Sequence, residues 1–485
     1  MYFNSPVFLY VFLAAVLLIY HGVPAILNLR GSAQSLFTNL FLFSASLFFY
    51  AWGELGYVLV LFASLVVNYG FARAAGWLQA GNRTTRPLAV LVVSLNLALL
   101  IWFKYIGFLA ATLARVIGMP DVAAPEGHLP IGISFFTFQA ISYILDVCRK
   151  EVPAERSFLK FGVYVFLFPH LIAGPIVRYR DIAAQLTVRP VGLERFADGV
   201  RRLGIGLAKK LLLADTFAEA ADAAFGTKAM VVSADELSMV AAWLGLLCWS
   251  LQIYFDFSGY SDMAIGLGKM FGFDFLENFR YPYIAQSITE FWRRWHISLS
   301  SWFRDYVYVP LGGNRAGAWA TYRNLLIVFV LCGLWHGASW TFLIWGLYHG
   351  IFLILERLGM GRVIARLPRP LRHGYALLAV AGGWVFFRAT DMHHAGRIFE
   401  ALVRGDGGTQ EFAEVWNPKL AFALPMGLLA CLPILPTAKR FLATRGEWWN
   451  GLAGFYGTLG IAACYLGASM QLAAKTYSPF IYFRF

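Results

Sequence analysis

The 485-residue chain is 59% hydrophobic and 17% aromatic, with 14% of its residues charged. Soluble globular proteins carry roughly 25% charged residues, so this chain has too few to cover a water-facing surface of its size. That excludes a cytosolic enzyme, a nucleic-acid-binding module and a disordered protein. Its 40 Lys and Arg against 27 Asp and Glu give a net charge of +13, which in a membrane protein marks cytoplasmic loops and contact with anionic lipid.

A helix needs about 20 apolar residues to cross the hydrocarbon core. The predicted spans are 6–27, 36–52, 54–74, 87–116, 130–146, 158–176, 203–225, 238–257, 324–336, 339–356, 374–389, 417–436 and 452–472. Several are short, so the expected fold is an all-α polytopic membrane protein of about eleven to thirteen transmembrane or re-entrant helices. The first segment has no basic lead and no small-residue cleavage site after it, and reads as a retained helix. No polar insertion of soluble-domain size appears, so residues 1–485 read as one membrane domain. The five cysteines are widely spaced and suggest neither a disulfide framework nor a zinc site.

Loop charge sets the orientation. Residues 117–129 carry Asp121 and Glu126 and no base, and are expected outside. Residues 73–86, 146–157 and 177–210 are basic and are expected inside. Both flanks of 158–176 are then cytoplasmic, so that segment dips in and returns. It contains Phe168-Pro169-His170 and Gly174-Pro175, which break a helix. The alternation puts 277–323 and 357–373 inside, 390–416 outside, and both termini outside.

Residues 276–323 mix aromatic and charged side chains. They include Phe291-Trp292-Arg293-Arg294-Trp295-His296-Ile297-Ser298-Leu299-Ser300, Trp302-Phe303-Arg304-Asp305-Tyr306 and Pro310-Leu311-Gly312-Gly313-Asn314-Arg315. This suits interfacial or half-inserted helices. They either pack on the bundle or form one wall of a cytoplasmic donor funnel, with Arg293, Arg294, Trp295, Arg304, Asp305 and Asn314 as its candidate residues. Next comes Leu334-Trp335-His336-Gly337-Ala338-Ser339-Trp340, in an apolar run from Leu325 to Leu355. An ionisable residue inside a membrane segment is costly and marks a functional position. The arm 324–336 spans roughly 20 Å as helix, about 10 Å less than the hydrocarbon thickness, so a turn at Gly337 leaves His336 within the membrane. His349 reads as structural.

Two further polar patches interrupt apolar helices. Asp256 and Asp262, with Ser258 between them, do not share a helix face unless the helix breaks at Gly259. Gln139, Ser142 and Tyr143 do share one, at i, i+3 and i+4. Each patch packs helices or lines a cavity, and Gln139, Asp256, Ser258, Asp262 and Trp335 are the candidate cavity-lining residues. There is no P-loop, nucleophile-elbow or HExxH motif and no metal-ligand cluster.

These motifs, together with Phe255-Asp256-Phe257-Ser258-Gly259-Tyr260-Ser261-Asp262 and Phe168-Pro169-His170-Leu171-Ile172-Ala173-Gly174-Pro175, resemble the signature of membrane-bound O-acyltransferases, in the bacterial alginate O-acetyltransferase-like branch. The resemblance runs nearly end to end. It implies a ring of membrane helices with a thin centre, entered by opposed cytoplasmic and extracytoplasmic funnels, in the bacterial inner membrane. It implies that His336 is the catalytic histidine and His296 the second one. It implies movement of an acetyl group from a cytoplasmic thioester, acetyl-CoA or an acyl carrier protein, to an exported polysaccharide such as alginate or cellulose, completed by a periplasmic acetyltransferase partner. No bound cofactor, metal or nucleic-acid partner is expected.

The chemistry agrees with that assignment. An alcohol is a poor nucleophile, and a histidine can take its proton during attack on a thioester. Peptidoglycan or teichoic acid are alternative acceptors. A transporter or flippase is a competing class, whose usual clue, an inverted repeat, is not evident. The tail 478–485 is mostly apolar. It is either an interfacial anchor or a segment folded into the extracytoplasmic funnel, with Tyr482 as an acyl relay beside His336.

Overall fold

The computed structural model describes residues 1–119, 129–226, 237–315, 317–405, 412–413, 415–445, 447–474 and Phe480. Among them there are helices and turns and no strands. Among the described residues, seven helical segments, or up to eight if one bent pair is a single span, are long and apolar enough to cross a membrane. One of these, Gly31–Ala80, has 50 residues, roughly 75 Å as helix and more than two hydrocarbon thicknesses. It is interrupted at Glu54, whose φ of −139° and ψ of 46° leave helical geometry. The chain is thus an all-α, multi-pass membrane protein.

The chain folds as two compact units, residues 1–203 with 263–276, and residues 204–262 with 277–485. The first contains α1 (Leu13–Ile26), α2 (Gly31–Glu54), α3 (Val58–Ala80), α4 (Arg86–Leu100), α5 (Ile106–Val116), α6 (Ile133–Cys148), α7 (Phe158–Phe166), α8 (Phe168–Leu171) and α9 (Tyr179–Ile182). Within the apolar helices polar side chains satisfy one another. Asn96 donates to Asn68 Oδ1 at 2.8 Å and accepts from Asn68 Nδ2 at 3.2 Å, the interhelical amide bonding expected where water is absent.

The predicted dip at 158–176 has a matching break. Helix α7 starts on Ser157, whose Oγ accepts from Lys160 N, and stops at Leu167, whose ψ of 111° is extended. After α8 the backbone is irregular, and Gly174 adopts φ 101°, a left-handed value that glycine alone takes readily. These residues are buried throughout, the condition under which broken backbone is tolerated at membrane depth.

Helix α10 (Leu193–Ala208) leads through Lys209–Ala214 to α11 (Asp215–Phe225) in the second unit, and α12 (Met239–Met270) contributes to both. The predicted span 238–257 was too short: α12 runs unbroken through Gly259 to Met270. The second unit continues with α13 (Ile288–Arg294), α14 (Ile297–Phe303), α15 (Ala318–His336), α16 (Trp340–Leu355), α17 (Gly361–Arg366), α18 (Arg369–Arg388), α19 (Met392–Val403), α20 (Pro418–Ala430), α21 (Ile434–Ala443) and α22 (Glu447–Ala474). The predicted span 417–436 is bent, with its two helices meeting at 54°.

Helices α15 and α16 form a hairpin with glycines at its seam. A Cβ on Gly333 would collide with Phe342 O, and one on Gly346 with Phe329 O. This close approach sets the position of His336, the last residue of α15.

Candidate active site

His336 ends α15 because Gly337 turns to extended backbone, φ −167° and ψ 151°. Two residues on, Ser339 caps α16 by accepting from Phe342 N at 3.4 Å. The turn expected at Gly337 therefore exists. It leaves the imidazole 4% exposed, edge-on to Trp335 at 4.9 Å, Trp345 at 5.1 Å and Phe387 at 5.3 Å. The aromatic walls hold the ring in a low-dielectric setting, where proton transfer and charge stabilisation act strongly.

His296 reaches the same place from a different element. It precedes α14 with φ 43° and ψ 55°, a left-handed conformation costing a non-glycine residue on the order of 1–3 kcal/mol. Asn278 holds it there. The Asn278 side-chain oxygen accepts from Ser298 N at 3.2 Å and Ser298 Oγ at 2.9 Å, and lies 3.1 Å from His296 Nδ1. The Asn278 backbone oxygen accepts from Ile297 N at 2.9 Å.

That arrangement decides the tautomer. A backbone N–H can only donate, so the Asn278 atom facing Ser298 N is the oxygen. His296 Nδ1 must then carry a proton, leaving Nε2 with the lone pair. Burial pushes the imidazole down to about 3, so His296 is neutral near pH 7. Its ring lies 6.4 Å from that of His336 and 5.8 Å from that of Trp335. The structure thus brings His296, Trp335 and His336 together within one unit.

The candidate donor residues are dispersed. Trp295 is 1% exposed, stacked on Phe291 at 5.5 Å and 5.0 Å from Trp384, so it belongs to the aromatic core. Arg293 is exposed. Arg294 is held by Glu290 at 2.8 Å, and Arg304 grips Asp305 at 2.6 and 3.1 Å. Asn314 accepts from Tyr308 and, at 3.1 Å, from Arg357.

The two carboxylates of α12 meet lysines instead of each other. Lys210 reaches Asp256 at 2.6 Å and Asp215 at 2.9 Å, and Lys209 reaches Asp262 at 2.7 Å. No break at Gly259 is needed. That glycine lets the chain pass close, since a Cβ there would sit 2.9 Å from Gly206 O. Ser258 is buried, and its hydroxyl has no hydrogen-bond partner among the described residues. Both lysines lie in the basic stretch 177–210 that sets the orientation. Their pairing, with that of Arg195 to Asp274 at 2.7 Å, makes the free positive charge of 177–210 smaller than a count suggests.

In the first unit, Gln139 Nε2 lies 2.9 Å from His170 Nδ1, both fully buried. Sequence reasoning assigned no role to His170, Asn278 or Lys210. The available signals were a histidine inside the predicted dip and an asparagine within the 276–323 stretch. Lys210 was hidden among other bases. Tyr482, proposed as a relay, lies outside the described residues, as do Asp121 and Glu126. Among the described residues no group of three His, Cys, Asp or Glu side chains is placed to hold a metal.

Residues 49–387 match the membrane-bound O-acyltransferase family. The chain belongs to that family. It is an O-acyltransferase, and both histidines lie inside the matched region. Relatives span its length. The probable alginate O-acetylase of Pseudomonas putida is 40% identical over 511 aligned positions covering all of both chains. The peptidoglycan O-acetyltransferase of Helicobacter pylori is 36% identical over 84% of this chain and 80% of its own. The teichoic acid D-alanyltransferase of Bacillus subtilis is 28% identical over 48% of this chain and 62% of its own.

Proposed function

We propose that this O-acyltransferase moves acetyl groups from a cytoplasmic thioester, carried on coenzyme A or a carrier protein, into the O-acetylation of an exported polysaccharide of the alginate class. The observation that carries the reading is the His296–His336 pair, buried together at 6.4 Å in a chain similar end to end to probable alginate O-acetylases. His336 takes the proton of the attacking hydroxyl as its oxygen bonds to the thioester carbonyl carbon. The C–S bond breaks, and the proton passes to the thiolate that leaves. His296, neutral and oriented by Asn278, presents Nε2 toward the reacting groups and positions or assists. Exposed Arg293 and Arg315 supply a basic approach for an anionic donor. The chain sits in the bacterial inner membrane, and a periplasmic acetyltransferase completes delivery to the polymer.

The C-terminal tail supports a route for that handover. Phe480 is 1% exposed, edge-on to Tyr260 at 4.8 Å and under Lys210 Nζ at 4.8 Å. Phe480 itself is therefore anchored in the second unit. In this reading the Tyr482 hydroxyl accepts the acetyl group with His336 as base and presents an acyl-tyrosine outside, so the polymer never enters the membrane. Tyr482→Phe keeps the apolar anchor and removes the nucleophile. Acetyl content of the surface polymer in a deletion strain carrying this variant is the test. Loss of acetylation supports the relay. Full acetylation rejects it while leaving the histidine assignment intact.

A second acceptor, peptidoglycan, has support from the Helicobacter pylori relative. Acetyl analysis of both polymers in the same deletion strain separates the two.

A further inference from the structure

The first unit contains a cavity of about 910 Å³ that neither site histidine lines. It opens where α1 turns into α2, against the segments 157–160 and 187–191. Its wall carries Arg30, Lys160, Arg189 and His21, and neither Asp nor Glu lines it. The cationic groups rest on neutral partners. Arg30 Nε donates to Asn28 at 3.1 Å, Lys160 Nζ to Thr187 Oγ1 at 2.8 Å, and Arg189 to Gln185 O at 3.0 Å, Tyr20 OH at 3.1 Å and Asn39. Arg189 also lies over the Phe273 ring at 4.5 Å. Three guanidinium and ammonium groups around one hollow, with no described carboxylate in its wall, leave a local excess of positive charge.

We infer that this cavity binds the phosphodiester headgroup of an anionic phospholipid. The rim decides for a lipid over a free anion. Leu36, Val188 and Val191 line the cavity and are exposed, and Ile26 and Leu40 are exposed beside it on α1 and α2. A basic floor and an apolar, outward-facing edge match a phosphate with acyl chains attached. Basic pockets between membrane helices take such headgroups. Arg189 belongs to the basic stretch 177–210 expected on the cytoplasmic side. Arg189 and Lys160 hold the phosphate oxygens, Arg189 as a planar fork and Lys160 as a point charge. Arg30, exposed at the mouth, closes over it.

Native mass spectrometry on the purified full-length protein, titrated with dioleoyl phosphatidylglycerol or dioleoyl phosphatidylcholine, tests this. Phosphatidylglycerol should bind at least tenfold more tightly. The double variant Arg30→Gln/Lys160→Gln should lose about tenfold of that affinity, and Arg30→Lys/Lys160→Arg should keep it, showing that charge and not a folding defect is responsible. Equal affinity for the two lipids, an unaltered Gln variant, or loss in the charge-conserving variant each overturns the inference. Inorganic phosphate forms the third arm. Displacement of phosphatidylglycerol by equimolar phosphate assigns the cavity to a free anion and rejects the lipid; retention of the lipid supports it.

Discussion

His296 and His336 hold their rings 6.4 Å apart at 64°, with Trp335 edge-on to His336 and 5.8 Å from His296. The two arrive by different routes. His336 is delivered by a glycine-seamed hairpin, His296 by a strained residue pinned to Asn278. Each route makes a separate prediction.

Asn278 is a positioning residue. Asn278→Ala removes the acceptor that fixes the His296 tautomer and should lower kcat by about ten- to a hundredfold with little change in KM, within the range by which geometry affects proton transfer. Asn278→Asp places a carboxylate against Nδ1 and should raise the imidazole pKa. The acid limb of the pH–rate profile should then move to higher pH. Identical profiles for Asn278→Asp and wild type would contradict the positioning role.

The hairpin seam is sensitive to one carbon. Gly333→Ala and Gly346→Ala each force a Cβ into the facing backbone, and overpacking of this kind costs typically 1–3 kcal/mol. Both variants should lower the unfolding temperature in detergent. Gly374→Ala, where a Cβ meets open space, should not. A seam variant as stable as Gly374→Ala would show that the helices part freely.

Most of the membrane helices were legible because apolar runs of the required length have few other uses in a chain so poor in charge. The break after α7 was legible from Pro169 and Gly174, and the turn after His336 from Gly337. The continuation of α12 to Met270 was not. Its polar residues looked like interruptions, because the lysines that neutralise Asp256 and Asp262 sit some fifty positions earlier. The role of Asn278 was hidden for the same reason: a hydrogen bond across 18 positions leaves no periodicity in the sequence. Trp295 adjoins two arginines in sequence, yet α13 ends at Arg294 and the Trp295 backbone is extended, so the indole turns into the aromatic core.

The Lys210 pairings are structural. Lys210→Met leaves Asp256 and Asp215, each at most 5% exposed, facing a missing charge. Removing one member of a buried pair costs about 3–5 kcal/mol. The variant should fail to accumulate in membranes, and Lys210→Met/Asp256→Asn should recover part of the loss. No recovery in the double variant would show that the three groups are not coupled.

Acid should weaken the fold through His296. Above about pH 6.5 the imidazole is neutral whether folded or unfolded, and its contribution is fully present. As pH falls toward 3, the unfolded chain takes up a proton that the buried ring resists, so stability declines across that window. Unfolding temperatures from pH 7.5 to 4.5 should fall less steeply in His296→Gln than in wild type. Parallel curves would place the acid sensitivity elsewhere.

The most direct test of the account is acetyl transfer by full-length protein in liposomes, using labelled acetyl-CoA and a polysaccharide acceptor, with His336→Ala beside wild type. The account predicts at least a hundredfold fall in turnover, with insertion and unfolding temperature unchanged. Turnover within threefold of wild type would contradict the assignment of His336 as the base.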